Sequence, residues 1–544
     1  MKLTLINPPQ IFSKYQVATG IVPPLGLAYL ASYAIQEGIK VDLIDALGEA
    51  PQTVNYFQKD IFLRGLSFSD IIQRIDPNTN LIGISILFSF AYPAVKDLIK
   101  EIKHKFIDIP IVLGGPHATH LTDYTLMDSN VDYIIIGEGE IPLIHLYKHI
   151  MGQLLLEEVP SLAYKNSKGQ IKRTNSAGRI NDLDSNNIPF PARHLLPMEN
   201  YIGEQEAHGA VNGRWTTIIS SRGCPYGCTF CDSRRTKFIA RSAMDVVNEI
   251  EYCYNKFDIR EFHFEDDNMT LQKNRIIEIC NEIMRRKLVI QWQTPNGIRA
   301  SVTDQPMLMK MKESGCTHVT LAPESGSIRV LEDIIQKGKD FSLDQLKEVA
   351  KSAHEIGLKS AAYFILGLPG EKVEDIKLTI KYANSLARIG VDEVAFGLFI
   401  PLPGTPLWDK VVEKSGQPNF LDLLVIGDLN KAVSWTDFIS SEQLNSYRKI
   451  AYLQFQIFRL LYHPRRFGKT LINVVKGFAE TKTENKLRTF LSRKKKSNTD
   501  YTPYKSERVI SVLLKNNPIY SYSESTYKTV RTLSVDFVKY FNSK

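Results

Sequence analysis

Three of the six cysteines lie within eight residues and form the pattern CxxxCxxC. They are Cys224, Cys228 and Cys231, whereas the other three stand singly in apolar segments that are typical of small buried side chains. Short spacings of this kind let one loop surround a compact metal site with thiolates. A structural zinc site needs four ligands, and no fourth cysteine is nearby. Three thiolates on a four-iron cluster leave one iron open, so the spacing favours a catalytic cluster over a structural metal.

Polar or Gly/Pro-rich residues follow each strand of an α/β series that begins near residue 214. The predicted strands are 216–220, 261–264, 289–293, 317–322, 361–366 and 393–399. Amphipathic helical patterns separate them, so the carboxyl ends of parallel strands should carry the chemistry at one end of a barrel. Six strand–helix units are too few for a closed eightfold barrel. The sequence therefore predicts a partial (β/α)6 barrel over residues 214–420, with the cysteines after its first strand.

An earlier α/β series occupies residues 1–150. Apolar runs at 3–6, 41–44, 81–86, 109–113 and 133–136 alternate with amphipathic stretches. This alternation predicts a doubly wound parallel sheet with helices on both faces and a ligand at the carboxyl ends of its strands. Residues 151–213 are predicted to be an irregular connector. Residues 421–544 are predicted to be a basic, mainly helical C-terminal region.

The cysteine pattern, with Phe230 just before its last cysteine, resembles that of the radical SAM superfamily. The resemblance implies that Cys224, Cys228 and Cys231 are catalytic and hold a [4Fe–4S] cluster whose open iron binds S-adenosylmethionine. One electron then splits a C–S bond and releases a 5′-deoxyadenosyl radical. The implied electron donor is a low-potential protein of the flavodoxin or ferredoxin type.

Four later motifs look like the branch of that superfamily that carries an N-terminal cobalamin domain. They are Phe264-Glu-Asp-Asp-Asn268, Glu324-Ser-Gly326, Gly367-Leu-Pro-Gly-Glu371 and Pro403-Gly-Thr-Pro-Leu407. The resemblance implies that Asp266, Asp267 and Asn268 lie near the amino group of S-adenosylmethionine. It also implies that Glu324 and Ser325 contact the adenosyl part, and that the turn with Gly367 and Gly370 lies along it. An ammonium attracts carboxylates, and a glycine turn exposes backbone to an adenine, so the residue types suit these roles.

The N-terminal series contains Ser85-Ile-Leu87, then 26 residues, then Gly114-Gly115. This spacing is similar to that of cobalamin-binding domains and implies that Ser85, Leu87, Gly114 and Gly115 bind cobalamin. Glu138, in Gly137-Glu-Gly-Glu140, belongs to another motif of the same branch. A generic flavodoxin-like or dinucleotide-binding fold is the alternative, although no GxGxxG follows the first strand.

The family's Asp-x-His-x-x-Gly element departs from its usual form in this chain. It would begin at Asp45, and Leu47 stands at the histidine position. A histidine ligand to cobalt from that place is therefore excluded.

Three functions remain open at the level of sequence. The resemblance favours a methyltransferase that acts on an unactivated carbon. The second is a ring-forming or oxidative cyclase of the magnesium-protoporphyrin ester cyclase type. The third, from another class, is a non-catalytic cobalamin-binding sensor, which would not need the three cysteines.

Charge is concentrated at the end of the chain. The net charge is +8, yet residues 461–544 hold 18 Lys and Arg against 6 Asp and Glu. A basic amphipathic stretch at 446–475 suits either packing on the barrel or contact with an anionic membrane. No apolar run is long enough to span a bilayer, and no signal peptide is recognisable. We expect a cytoplasmic enzyme, peripheral to the inner membrane face if the tail binds lipid, with a small-molecule or lipid-like substrate and no nucleic-acid partner.

Overall fold

The apolar runs of the first 150 residues form strands in a computed structural model, which describes residues 2–14, 16, 20–425, 427–428 and 430–493. The strands of this part are β1 (Lys2–Asn7), β2 (Gln10–Ser13), β3 (Lys40–Asp45), β4 (Val54–Gln58), β5 (Ile61–Arg64), β6 (Leu81–Ser85), β7 (Ile111–Gly114), β8 (Tyr133–Ile135), β9 (Leu162–Lys165) and β10 (Ile171–Arg173). The helices are α1 (Leu25–Gln36), α2 (Ala46–Glu49), α3 (Phe68–Arg74), α4 (Tyr92–Lys105), α5 (Pro116–His120), α6 (Thr122–Asp128), α7 (Glu140–Ile150) and α8 (Met198–Glu204).

Seven of these strands form one sheet in the order β10-β9-β8-β7-β6-β1-β3, with β3, β1, β6, β7 and β8 parallel. Alternate side chains point to opposite faces of a strand. Leu3 and Leu5 therefore pack with α1 and α7 on one face, while Ile6 and Ile82 pack with α3 and α4 on the other. Helices cover both faces, which confirms the doubly wound α/β fold.

The segment that follows the first domain is more regular than the sequence indicates. β9 and β10 pair antiparallel and extend the sheet beyond β8, although both lie in the predicted connector. A separate three-stranded sheet, β2-β5-β4, was also not predicted. These strands are short and partly polar, so their pairing depends on partners distant in the chain. The predicted domain boundaries themselves stay a prediction.

The second α/β series forms the predicted partial barrel. Its strands are β11 (Trp215–Ile218), β12 (Ser221–Arg222), β13 (Ile239–Ala240), β14 (Glu261–Phe264), β15 (Gln291–Ile298), β16 (Cys316–Glu324), β17 (Lys359–Leu366) and β18 (Glu393–Leu398). Its helices are α9 (Ala243–Lys256), α10 (Lys273–Arg285), α11 (Gln305–Glu313), α12 (Leu343–Glu355), α13 (Val373–Ile389) and α14 (Pro406–Ser415). Six parallel strands pair in the order β11-β14-β15-β16-β17-β18, so the sheet has two free edges.

The described part of the C-terminal region consists of α15 (Ser441–Tyr462), α16 (Pro464–Lys476) and α17 (Lys482–Arg493). Leu444, Ala451 and Phe455 of α15 are buried in the same core as the barrel strands and their helices. The remaining residues of the predicted region, 494–544, lie outside the described part of the chain. Among the described residues no helix is long and apolar enough to cross a membrane.

Candidate active site

The loop that carries the three clustered cysteines, residues 223–231, is called the cysteine loop. It follows β12 and is held by three other loops at the carboxyl end of the barrel. Gly223 N donates to Asp267 Oδ2 over 3.0 Å. Thr229 N donates to the carbonyl of Ile335 over 2.9 Å, and Leu407 N donates to the carbonyl of Thr229 over 3.2 Å. Segments after β14, β16 and β18 therefore fix the backbone that carries the three thiols. The barrel brings together the motifs that the sequence placed at one end.

All three thiols of this loop are partly exposed, and none forms a disulfide. Within the described residues, no three His, Cys, Asp or Glu side chains converge on a point that could hold a single metal ion. A four-iron cluster takes each of three thiolates on a different iron, and three thiols on one loop fit that ligand set. Burial raises the pKa of Cys231 to about 12, so binding of iron must displace its proton.

Asp266, Asp267 and Asn268 directly follow β14 and have different environments. The Asp266 carboxylate is 2% exposed and accepts hydrogen bonds from Ser220 N and Ser220 Oγ, at 3.1 and 2.7 Å. Its partners are therefore protein groups that tie β14 to β11. Asp267 is exposed at the rim of the barrel. Asn268 Nδ2 donates a hydrogen bond to Cys224 Sγ over 3.8 Å. Of the three, Asp267 is best placed to reach a ligand, and the predicted contacts with the amino group stay a prediction.

Glu324 ends β16 in the left-handed region, with φ +61°. Non-glycine residues adopt this conformation at a cost and are held in it by their surroundings. Its carboxylate accepts from Lys337 Nζ over 2.7 Å, and both side chains are largely buried. Ser325 is fully buried and hydrogen-bonds Thr379 Oγ1 over 3.0 Å. Glu324 faces the site with an ammonium partner, whereas Ser325 braces the turn below it.

Lys337 was not found by sequence analysis. Its ammonium counteracts the burial that raises the pKa of the Cys228 thiol, so it lies within electrostatic reach of the cysteine loop. Arg299 was missed as well; its guanidinium lies 3.7 Å from the ring centre of Tyr226, inside the cysteine loop. Neither residue belongs to a motif, and only the fold brings them beside the cysteines.

The turn after β17 contains Gly367 and Gly370 and is organised by Glu371. The Glu371 carboxylate accepts from Gly367 N over 2.5 Å and from Leu368 N over 3.2 Å. It is fully buried, and burial raises its pKa to about 8 even though both N–H groups oppose the shift. The carboxylate fixes the turn from within, and the predicted contact between the turn and the adenosyl part stays a prediction.

The carboxyl end of the first sheet has the features of a large-ligand site. Ser85 and Gly114 are paired neighbours at the ends of β6 and β7. Leu87 is 62% exposed just beyond β6, and a Cβ atom built on Gly114 would meet nothing within 4 Å. Gly115, with φ +94°, lies against the Ile86 carbonyl, where a Cβ would come within 2.6 Å. Leu87 and Gly114 are thus accessible at this edge, and the predicted contacts of the four residues with cobalamin stay a prediction.

Leu47 and Glu138, which lie near this end of the sheet, have different surroundings. Leu47 is buried against Ile21 and Tyr201. Glu138 accepts from Arg179 Nη2 over 2.9 Å and from Ile180 N over 2.8 Å. Its carboxylate thus binds the following segment, and its predicted cofactor contact stays a prediction.

The two carboxyl ends face each other. A Cβ atom built on Gly404, after β18, would collide with the ring of His120 in α5 of the first sheet. Arg222 beside the cysteine loop donates to Glu140 Oε1 of α7 over 2.7 Å. Phe420 packs edge-on against Tyr92 of α4, with ring centres 5.7 Å apart. The carboxyl end of the barrel therefore packs against α5 and α7, which follow β7 and β8 at the carboxyl end of the first sheet.

Comparison with known proteins agrees with both halves of this arrangement. Residues 218–383 match the family model of the radical SAM superfamily, and residues 16–146 match that of the B12 binding domain. An uncharacterized methyltransferase of Pyrococcus horikoshii is 31% identical over 468 residues, which cover 84% of this chain and 93% of the relative. The chain belongs to the cobalamin-binding branch of the radical SAM superfamily.

Two further proteins of this branch are similar to the chain, one in sequence and one in fold. The anaerobic magnesium-protoporphyrin IX monomethyl ester cyclase of Rubrivivax gelatinosus is 25% identical, over 89% of this chain and 84% of the relative. The structure of the cobalamin-dependent radical enzyme OxsB, with aqua-cobalamin and S-adenosylmethionine bound, superposes with a TM-score of 0.64 at 17% identity, over 99% of this chain and 81% of that one. The chain is a radical SAM enzyme whose cofactors are a [4Fe–4S] cluster, S-adenosylmethionine and cobalamin.

Proposed function

We propose that the enzyme transfers a methyl group to an unactivated carbon of a small molecule. The observation that carries the proposal is the opposition of the two carboxyl ends, with Gly404 against His120 and Arg222 against Glu140. The reaction would require one substrate to reach both the cysteine loop, which would hold the cluster, and the Ser85–Gly114 edge, which would hold cobalamin. The similarity to the Pyrococcus methyltransferase over most of both chains supports this reaction.

The protein's own groups have positioning roles in this proposal. Cys224, Cys228 and Cys231 would hold the cluster, and Asn268 would donate a hydrogen bond to Cys224 Sγ. Asp267 and Glu324 would orient S-adenosylmethionine from the rim of the barrel, with Lys337 holding the Glu324 carboxylate in place. When bound, the cluster supplies an electron that splits S-adenosylmethionine, and cobalamin supplies a methyl group taken from a second molecule of it. The packing of the loop after β18 on α5 would help to keep water from the radical.

The stoichiometry of the products tests the proposal. Each methylation consumes two molecules of S-adenosylmethionine, one leaving as S-adenosylhomocysteine and one as 5′-deoxyadenosine. Equal amounts of both, measured by chromatography with the true substrate present, support methyl transfer. Formation of 5′-deoxyadenosine alone would contradict it.

A cyclase is the second candidate, and the similarity to the Rubrivivax enzyme over 89% of the chain is the observation that favours it. A cyclase needs the same cluster and the same radical but no transferable methyl group. The product ratio therefore separates the two reactions without any structural assumption about the substrate.

The proposed electron donor is a flavodoxin or ferredoxin. Arg235 and Lys237 are exposed immediately after the cysteine loop, beside the partly exposed Arg234. A basic surface next to the cluster would attract an acidic donor and shorten the electron path, and the attraction should weaken with salt.

Peripheral membrane contact is the remaining part of the proposal. Leu461, Tyr462 and Ile472 are more than half exposed on α15 and α16, close to basic residues of the same helices. An apolar and basic surface of this type suits an anionic bilayer. Sedimentation with anionic vesicles at low salt should retain the protein, and replacement of all three residues by Ser should release it.

A further inference from the structure

The interior of the partial barrel is polar. Outward side chains such as Phe262 and Phe264 pack under the helices, so their neighbours along each strand face inward. The polar residues on this inward face include Thr217, Glu261, His263, Gln293, His318 and Glu393. Such a lining is unusual for a space filled only by packing, because buried polar groups require partners.

The interior is also open toward the carboxyl end of the strands. Gly397 is exposed although it lies near the end of β18, between paired residues of the sheet. Tyr363 and Ala395, which face inward on β17 and β18, are likewise partly accessible. These accessible positions lie on the same inward face as the polar residues of β18 and its neighbours. A substrate entering between the two sheets could therefore extend into the barrel.

Helix α17 closes the gap between the free edges of the barrel. At the β18 edge, Glu393 accepts from the backbone N–H groups of Lys482 and Thr483, over 3.2 and 2.8 Å. At the β11 edge, Arg488 Nη2 donates to the carbonyl of Val211 over 2.8 Å, and Asn212 exchanges hydrogen bonds with Ala479 over 2.6 and 2.8 Å. The helix is thus fixed at both edges and has a defined inner face.

That inner face carries two lysines one helical turn apart. Lys482 Nζ lies 5.6 Å from the ring centre of Tyr363, which faces the interior. Lys486 is partly accessible, and among the described residues no hydrogen bond or ion pair reaches its ammonium. Burial, with a further contribution from Lys482, lowers the pKa of Lys486 to about 8. Two like charges at this spacing repel each other unless an anion lies between them.

The two carboxylates near Lys482 and Lys486 also contact other groups. Glu393 caps α17 and lies 3.3 Å from His318 Nε2. Glu265, the residue before Asp266, lies 3.0 Å from His208 Nδ1. Glu393 attracts both lysine ammonium groups, but it also caps α17 and faces His318, so this one carboxylate does not balance both lysines. An external anion would be a further partner for the two ammonium groups.

We infer that Lys482 and Lys486 bind an anionic group of the substrate, a phosphate or a carboxylate, inside the barrel. The inference deepens the proposed function, since it gives the chemical class of the small molecule. With the anion held at α17, the rest of the substrate would extend toward the cysteine loop and the cobalamin edge. The lysines would then set which carbon reaches both cofactors.

Competitive acetylation tests this site without turnover. The holoenzyme is treated anaerobically with trace acetic anhydride at pH 8, and the modification rate of Lys486 is read by peptide mass spectrometry. Inorganic phosphate is added in one arm, malonate in the second and sodium chloride at equal ionic strength in the third. Phosphate or malonate should slow the reaction roughly tenfold at a concentration about ten times its Kd, whereas chloride should not. Protection by phosphate alone or malonate alone identifies the class of anion.

Variants make the test specific. Lys482→Gln should lose the protection, Lys482→Arg should keep it, and Lys351→Gln, which removes an exposed lysine of α12, should not alter it. Equal rates in all three arms of the wild-type protein, or full protection in a folded Lys482→Gln variant, overturn the inference. A failure here leaves the product ratio untouched, and an unexpected product ratio leaves the anion site untouched, so the two proposals can fail separately.

Discussion

At the residue scale, the three clustered cysteines differ from the other three in both exposure and surroundings. Cys253, Cys280 and Cys316 are buried in the core between the barrel strands and their helices, as their apolar neighbours predict. Cys224, Cys228 and Cys231 are partly exposed on one loop. Spacing alone identified the loop. The buried ion pair of Glu324 with Lys337 could not be predicted, because nothing in the sequence near residue 337 indicates what it meets across the barrel.

The cluster assignment makes a direct prediction. Anaerobically reconstituted wild-type protein should contain about four irons per chain, and alanine at any one of the three clustered positions should abolish most of that iron. Cys253→Ala is the matched control, since it removes a thiol of the core and should retain the iron at a modest cost in stability. Iron measured after gel filtration decides the outcome. Zinc in place of iron, or full iron in Cys228→Ala, would count against the assignment.

Glu371 predicts a pH dependence of stability. Its folded pKa of about 8 lies above its ordinary value of 4.5, so the folded protein retains a proton that the unfolded chain has lost. The associated stability is complete below about pH 4.5 and is lost as the pH rises through 8. Glu371→Gln, which is always neutral and keeps an acceptor for Gly367 N, should match the wild-type Tm near pH 5 and exceed it at pH 9.

The control for this prediction is Glu374→Gln, three residues along the chain at an exposed position. It should follow the wild-type Tm at every pH. If Glu371→Gln loses stability between pH 5 and 9 as steeply as the wild type does, the buried carboxylate is not the cause.

At the element scale, strong periodicity predicted the elements well, and weak periodicity did not. β14 was predicted with its observed bounds, and every other strand of the six-stranded barrel overlaps its predicted run. The misses are β9 and β10 in the connector and the small β2-β5-β4 sheet, whose residues mix polar and apolar types. α17 shows a second limit: its helical pattern is local, but its place across the gap of the barrel depends on Glu393 and Asn212, far away in sequence.

The junction of α5 with the loop after β18 predicts the effect of one added methyl group. Gly404→Ala would drive a Cβ into the His120 ring at a position with φ +81°, and should destabilise the protein by roughly 1–3 kcal/mol. His120→Ala in the same chain should recover part of that loss, because it removes the collision. Thermal unfolding of the four proteins of this cycle gives the coupling.

Gly416→Ala is the matched control, since Gly416 also has a positive φ but has open space where a Cβ would lie. It should cost only the backbone strain. If the stability losses of Gly404→Ala and His120→Ala are additive, the loop after β18 and α5 are not in contact at this point.

At the scale of the whole molecule, the chain joins two cofactor-binding folds by their carboxyl ends. The sequence predicted both folds and all three cofactors, since each has local motifs. It could not predict how they meet, because Gly404 with His120 and Arg222 with Glu140 are contacts between distant parts of the chain. The closure of the barrel by a helix of the C-terminal region likewise became visible only in the folded molecule.

Methyl transfer by this enzyme can be tested before the substrate is known. Protein loaded with cobalamin alone, through Cys224→Ala, is reduced with a low-potential donor and mixed with one equivalent of S-adenosylmethionine. Transfer of the methyl group to the reduced cobalamin leaves S-adenosylhomocysteine, which is measured by mass spectrometry. We expect close to one S-adenosylhomocysteine per bound cobalamin and no 5′-deoxyadenosine. Absence of S-adenosylhomocysteine from fully loaded, reduced protein, both in this variant and in the wild type, would contradict it.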